Sequence, residues 1–498
     1  MVPTPAGLSR SLDAFSIALN QADSSGWYSS TMQLQLASLQ FCVMCRSVST
    51  LHLVVIDDRQ TLLFEDAPTS TVNVKKLSRT RVPNVRPLIL TWKLPAFYLK
   101  RFSSKALAYV KQLTFRDAFE DKVDDVAWPP SLQRLTPSLQ RLTFGHRFNQ
   151  TVDGFVWPAS LQQLTFGYHF NQAIDGVVWP ATLQQLNFGF HFDQAIEGVS
   201  WPASLQELTF GTEFNRAIDG VSWPISLQQL TFGKQFNQAI DRVLWSASLQ
   251  QLTFGHCFNR AVDGVVWPAS LQQLTLGAMC NQAVDRVSWP ASLQQLTFGD
   301  EFNQVIDGVV WPTLHHLTFG KCFNQAIDGV VWPATLQQLK FGHFFNQAID
   351  GVSWPVSLKQ LTFGTEFNQA IDGVSWPASL QQLTFRGYFN QAIDKVVWPA
   401  SLQQLTFSGR YDQAIDGVVW PASLQQLTFR GYFNQAIDRV VWPASLQQLT
   451  FSGRFDQAID GVVWPASLQK VAFGTGFNKA IVGISWPASL QQLTIGRD

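Results

Sequence analysis

Charge is scarce in this sequence. Asp, Glu, Lys and Arg make up 14% of the 498 residues, and the 35 basic side chains equal the 35 acidic ones. No net field draws such a chain toward nucleic acid or an anionic membrane, and neither is expected as a partner. Cysteine is scarce too. Cys42, Cys45, Cys257, Cys280 and Cys322 are odd in number and scattered, which excludes a disulfide framework and favours a reducing compartment. No run of about 18 apolar residues occurs, so no membrane-spanning helix is expected. Asp13, Asn20 and Gln21 interrupt the stretch where a secretory leader would need its apolar core. The expected location is cytoplasmic.

The groupings that carry chemistry are also missing. The glycines follow a repeat and lack the Lys-Ser/Thr ending of a phosphate loop. Serine recurs in "PAS" without a His and an acid in a triad arrangement, so it reads as turn chemistry. Cys42-Val-Met-Cys45 is a lone CxxC with no second pair, which reads as two buried thiols. His169 and His191 fall in one column of adjacent repeats, and two ligands do not complete a zinc site. His315 and His316 fall at a Gln-Gln position and read as solvent-facing. No catalytic residue, metal site or cofactor is expected, and the chain does not read as an enzyme.

What the sequence has is one phrase repeated: "WPASLQQLTFGTEFNQAIDGVSWP" and its variants. From Trp157 onward the Trp column keeps a 22-residue period, apart from one 21-residue step between Trp311 and Trp332. The first step, Trp128 to Trp157, is longer because "PSLQRLT" occurs twice in tandem. In the unit from Trp157, Leu161, Leu164 and Phe166 alternate with Gln163 and Thr165, the period-two pattern of a short strand. Phe170, Ile174, Trp179 and one of Val177 or Val178 fill the coil behind it. The fold class that follows is a repeat solenoid, mainly β, with 22-residue leucine-rich-repeat-like coils and one parallel sheet. Little or no helix is expected in the short return segments. About 17 coils at ~4.8 Å each would give a ladder roughly 80 Å long.

The phrase "LTFGTEFNQAIDGVSWPASLQQL" resembles the FNIP repeat, a leucine-rich-repeat relative named for its Phe-Asn motif. The resemblance covers residues 106–498. The family often has Pro where this chain has Ala in "FNQAI" at 170–174, a departure that touches a turn. The resemblance implies a protein-interaction solenoid, joined in some relatives to an F-box or kinase domain, and it brings no catalytic residues with it.

Residues 1–105 differ in composition and read as a small mixed α/β cap or adaptor region. Leu8, Leu12, Phe15 and Leu19 share one helical face. "LHLVVIDDRQTLLFED" reads as a hairpin around Asp57-Asp58, and "VRPLILTW" as a strand or decayed repeat. No F-box-like Leu-Pro start is evident.

Several columns invite a functional reading. Asn149, Asn171, Asn215, Asn237, Asn259, Asn303, Asn324 and Asn346 form a column in which Asp appears at 193, 412 and 456. It reads as a structural ladder satisfying backbone groups at a turn. The Asp of "AID", as at Asp153, Asp175 and Asp241, reads as a turn residue accepting backbone N–H groups, with a calcium ridge as the sharper alternative. The Trp column reads as core, against an exposed stripe for sugars. Two columns vary while the rest stay monotonous. They run through Tyr168, His169, Phe190, His191, Thr212, Glu213, Lys234, Gln235, His256, Asp300, Glu301, Lys321, His343, Phe344, Thr365 and Glu366. Tyr388, Arg410, Tyr432 and Arg454 continue them after the loop glycine moves by one position, as in "FRGYF" and "FSGRF". Such mixed residues cannot be core and must form a surface ridge, which is the candidate interaction surface or a place where drift is tolerated.

The expected function is a non-enzymatic scaffold that binds a protein partner. The alternatives are a substrate-recruiting subunit of a ubiquitin ligase, should residues 1–105 be F-box-like, and a carbohydrate- or calcium-binding solenoid. The last strand, in "LQQLTIGRD", offers an edge for self-association.

Overall fold

The computed structural model describes residues 139–496 in full and, before them, the backbone of five short strands. The helix expected around Leu8 to Leu19, and Cys42 and Cys45, lie outside the described residues. All regular structure among the described residues is β. The chain divides into two compact units, one of residues 1–216 with 220–233, the other of 217–219 with 234–498.

In the first unit, β1 (Leu51–Val55) pairs antiparallel with β2 (Thr61–Phe64), which pairs antiparallel with β3 (Val72–Asn73). This is the hairpin expected around Asp57-Asp58. The segment 85–92 holds β4 (Leu88–Trp92), which is parallel to β1 on one side and to β5 (Val110–Phe115) on the other. Parallel pairing is thus present upstream of the first repeat read in the sequence. The ladder continues through β6 (Arg141–Thr143), β7 (Gln163–Thr165), β8 (Gln185–Asn187), β9 (Glu207–Thr209) and β10 (Gln229–Thr231). Of the tandem "PSLQRLT" copies, the second supplies the strand β6.

The second unit stacks twelve strands, β11 (Gln251–Thr253) through β22 (Gln492–Ile495), each parallel to the next. The register sets like against like, as in Gln273 on Gln295, Leu274 on Leu296 and Thr275 on Thr297. The short 21-residue step does not disturb this, since His316 still faces Gln295. A normal coil closes its corner with the Leu336 N–H donating to the Pro333 carbonyl. In the short coil Leu314 donates to Pro312, so the missing residue is absorbed in a tighter turn.

The core is nearly the same from coil to coil because the copied pattern of apolar residues is. Leu161, Leu164, Phe166, Phe170 and Ile174 are essentially inaccessible, as are most of their copies. Leu276 and Cys280 take the two Phe places in one coil, and at the end of the ladder Ile481 and Leu493 are half-buried and Ile495 exposed. Between the two valines the structure decides: Val177 is buried, while Val178 is 81% exposed. The Val177 N–H donates to the Ile174 carbonyl across Asp175-Gly176, and that turn sends the second valine outward. Phe rings stack from coil to coil, as with Phe170 on Phe192 at 6.0 Å. Indoles do the same, as with Trp179 on Trp201 at 6.4 Å. Trp157, Trp267 and Trp398 are less than a tenth exposed, so the Trp column is core. Its Nε1 groups are buried without a hydrogen-bond acceptor, and edge-to-face contacts such as Trp157 against Phe166 compensate only weakly.

Candidate functional site

Most of the polar columns are consumed in joining one coil to the next. The Asn149 side-chain oxygen accepts the Asn171 N–H at 2.8 Å and the Gln172 side-chain amide at 3.0 Å. The pattern recurs along each unit, as when Asn346 accepts from Asn368 and Gln369. Asp193 and Asp412 do the same work for Asn215 and Asn434. The position needs an acceptor oxygen, which is why Asn and Asp interchange; where it is Asp193 or Asp456 the second oxygen also pairs with Arg216 or Lys479. Arg216 and Arg260 stand in for Gln and donate Nε to the same carbonyl column.

The serine of "PAS" is similarly engaged. Ser204 Oγ donates to the Leu183 carbonyl at 2.7 Å, and Ser401 to Leu380 at the same distance. These hydroxyls bind the previous coil rather than their own turn, a link that spacing within one coil could not reveal.

The Asp of "AID" behaves otherwise than expected. Asp153, Asp175 and Asp241 are exposed, and among the described residues no backbone N–H donates to them. The turn closes instead through the Val-to-Ile backbone bond described above. Among the described residues, no three His, Cys, Asp or Glu side chains come together as a metal-ligating group.

The ridge lies at the turn after each strand, and its backbone is part of the ladder. The His191 N–H donates to the Tyr168 carbonyl, Glu366 to His343, and Tyr388 to Thr365. Arg410 donates to Gly387, and Tyr432 to Gly409, in the same relative positions. Moving the glycine by one place therefore keeps this cross-coil bond, while the strands there lengthen, to Gln404–Gly409 in β18 and Gln426–Gly431 in β19. The two glycine positions answer different demands. At Gly342 a Cβ would overlap the Gly320 carbonyl of the previous coil, whereas Gly409 has φ near 101°, the left-handed region open to glycine.

Side chains on the ridge pair across coils. In the first unit Tyr168 stacks on Phe190 at 4.6 Å and His169 on His191 at 5.0 Å. His191 Nδ1 lies 2.8 Å from Glu213. Partial burial, then the neighbouring His146, His191 and Arg147, hold the His169 imidazole below its ordinary pKa. In the second unit Lys234, Gln235 and His256 are exposed. Lys321 pairs with Asp300 at 2.6 Å, and that hydrogen bond raises the amine. Cys322 Sγ is 3.6 Å from Glu301, and His343 is 3.5 Å from Glu366. Phe344 is half exposed, and Thr365 is half-buried. Arg410 lies over the Tyr388 ring and Arg454 over Tyr432, at 4.3 and 4.2 Å from the centroids. His315 and His316, read as solvent-facing, are half-buried on the strand face, and burial lowers His316.

One surface column was missed in the sequence. Val178, Val310, Val397, Val419, Val441 and Val463 stand about four-fifths exposed. The same column holds serine at 200, 222, 288 and 353, and that interchange was the available sign that it faces water.

An in-register parallel ladder of 22-residue coils, with Leu and Phe inward and acceptor columns at the turns, defines a leucine-rich-repeat-type solenoid. The chain belongs to the FNIP-repeat family. The FNIP Repeat model matches residues 170–213, 280–322 and overlapping segments across 323–454. The fold is similar to that of CroV588, described as a novel circular LRR protein, with a TM-score of 0.67 and 35% sequence identity. That match covers 85% of this chain and 67% of CroV588. An internalin of Listeria monocytogenes also matches, at 14% identity and a TM-score of 0.38, over 75% of this chain and 92% of that one. No curated protein matches the sequence.

Proposed function

We propose that this protein is a non-enzymatic scaffold whose ridge recognises a protein partner. One observation carries this reading. The Asn, Gln and Ser columns spend their polar groups on the neighbouring coil, while the ridge side chains vary and face outward on a backbone the ladder holds fixed. A rigid scaffold presenting variable loops is a usual arrangement for recognition. Cys257, Cys280 and Cys322 are free thiols, which suits the reducing cytosol we assign to it.

The test is affinity capture from source-cell lysate with three forms of the full chain. One is unaltered, one carries Phe190→Ser, Lys234→Gln and Phe344→Ser on the ridge, and one carries Asp307→Asn and Asp350→Asn at the "AID" turns. The scaffold reading expects a partner held by the first and third and lost by the second, with all three giving the same circular dichroism spectrum. A partner held equally by all three removes the ridge from the account, and the absence of any specific partner removes the scaffold.

A further inference from the structure

The end of the ridge in the second unit differs from the rest. Arg386, Arg410, Arg430 and Arg454 are exposed, and among the described residues none forms an ion pair. Elsewhere a cation with a carboxylate one coil away pairs with it, as Lys321 does with Asp300, Arg216 with Asp193 and Lys479 with Asp456. These four coils supply none themselves: the strands and ridge turns at 380–389, 402–411, 424–433 and 446–455 contain no Asp or Glu, and Glu366 in the coil before lies against His343 instead. The carboxylates that follow in sequence, Asp412 and Asp456, direct Oδ1 to the N–H groups of Asn434 and Asn478 in the next coil.

The arginines are also placed in order. Ser408 faces Arg430 and Gly409 faces Gly431 in the ladder, so Arg386 and Arg430 share one column and Arg410 and Arg454 the next. Each column repeats every second coil, about 10 Å along the stack, and the two are offset by one coil of ~4.8 Å. Tyr388 and Tyr432 lie beneath Arg410 and Arg454 and hold the guanidinium planes against the ridge. A stacked guanidinium keeps its N–H edge free for a bidentate acceptor. The pattern occurs twice because residues 376–419 and 420–463 are copies differing at Lys395/Arg439 and Tyr411/Phe455.

We propose that this Arg–Tyr patch binds an extended acidic segment of a partner protein, its Asp and Glu carboxylates meeting the four guanidinium edges. The proposal rests on the scaffold reading and gives the class of partner for this part of the ridge. Four coils span ~14 Å, the length of about five extended residues. A peptide fits better than a single-stranded nucleic acid, because a base needs an open aromatic face and the arginines occupy those of Tyr388 and Tyr432. Two Arg–Tyr–Arg copies in series add avidity for a segment long enough to reach both.

The experiment is fluorescence anisotropy on the full chain with three labelled probes: an Asp/Glu-rich octapeptide, its Asn/Gln counterpart and an oligouridine of equal charge. The acidic peptide is expected to bind and the neutral one not to, with affinity falling as salt rises. Arg410→Gln with Arg454→Gln should weaken binding by about tenfold or more. Lys395→Gln with Arg439→Gln removes the same charge at the turns and should leave binding unchanged. Equal weakening by both pairs, tighter binding of oligouridine, or no binding of the acidic peptide overturns the proposal. If the acidic peptide fails while lysate capture still depends on Phe190, Lys234 and Phe344, the acidic class alone falls. If capture also loses that dependence, the scaffold reading falls with it.

Discussion

Tyr411 shows how little latitude the coil interior leaves a single residue. It occupies the Phe position of its coil, stacked between Phe389 and Phe433 at 6.0 and 6.1 Å, and is 1% exposed. Its hydroxyl is buried with no partner. Burying an unpaired hydroxyl costs about 1–3 kcal/mol, so Tyr411→Phe, as the copy at Phe455 already has, should raise stability by that order in urea unfolding. Burial, then the charge of Asp394, pushes the phenol far above its ordinary range. Its folded pKa therefore exceeds its unfolded one. The neutral phenol adds no pH dependence below about pH 10, and stability is lost as pH rises above that. Tyr411→Phe should remove this alkaline loss, and an unchanged pH profile would refute the assignment. The glycines make a second residue-scale contrast. Gly342→Ala drives a methyl into the Gly320 backbone carbonyl, whereas at Gly373 the nearest atom to a new methyl is Asp350 Cβ at 3.6 Å. Gly342→Ala should therefore lower the urea midpoint sharply. Gly373→Ala should leave it unchanged or slightly raised, since alanine restricts the unfolded chain.

At the scale of the element, the unit of stability is the joint between coils rather than the strand, which is as short as Gln163–Thr165. Asn346 shows what one joint contains, since its side-chain oxygen holds both the Asn368 N–H and the Gln369 amide. Asn346→Ala leaves those donors without their acceptor and should cost about 1–3 kcal/mol, while Asn346→Asp keeps the oxygen and should be nearly neutral. Equal losses for the two, read from urea midpoints, would mean that the amide rather than the acceptor matters. This role was legible in the sequence, because Asp replaces Asn at 193, 412 and 456 and shares only an acceptor oxygen with it. The inward set Leu161, Leu164, Phe166, Phe170 and Ile174 was legible too, since copying displays the same alternation many times. Other features depend on contacts that no single phrase contains. Which valine of "GVVW" turns inward is set by the Val177-to-Ile174 bond. Ser401 reaches a carbonyl in the preceding coil, and Arg410 lies over a tyrosine one coil back. The ridge could be located from its variability, but its Arg–Tyr pairing appears only once the coils are stacked.

At the scale of the whole molecule, a solenoid's stability is close to a sum over coils and the joints between them. The near-identical blocks 376–419 and 420–463 allow that sum to be tested without creating a new joint. Deleting 376–419 brings Trp420 directly after Ser375, where Trp376 had been. Every residue then presented to the preceding coil matches the one removed, apart from the two positions at which the copies differ. Tyr432 takes the place of Tyr388 beside Thr365, and the backbone bond to the Thr365 carbonyl can form again. The shortened chain should fold, with an unchanged circular dichroism signal per residue and a urea m-value reduced in proportion to the surface removed. Deleting 376–408 instead breaks the 22-residue phase and sets Gly409 and Arg410 where the Trp-Pro corner belongs. Inward and outward residues no longer alternate in step with the neighbouring coils at that joint, which should cost cooperative folding there. If both deletions unfold alike, the coils are not the independent units that their contacts describe. If only the in-phase deletion folds, phase and joint chemistry together account for why the repeat tolerates copying in whole coils and varies where the chain faces outward.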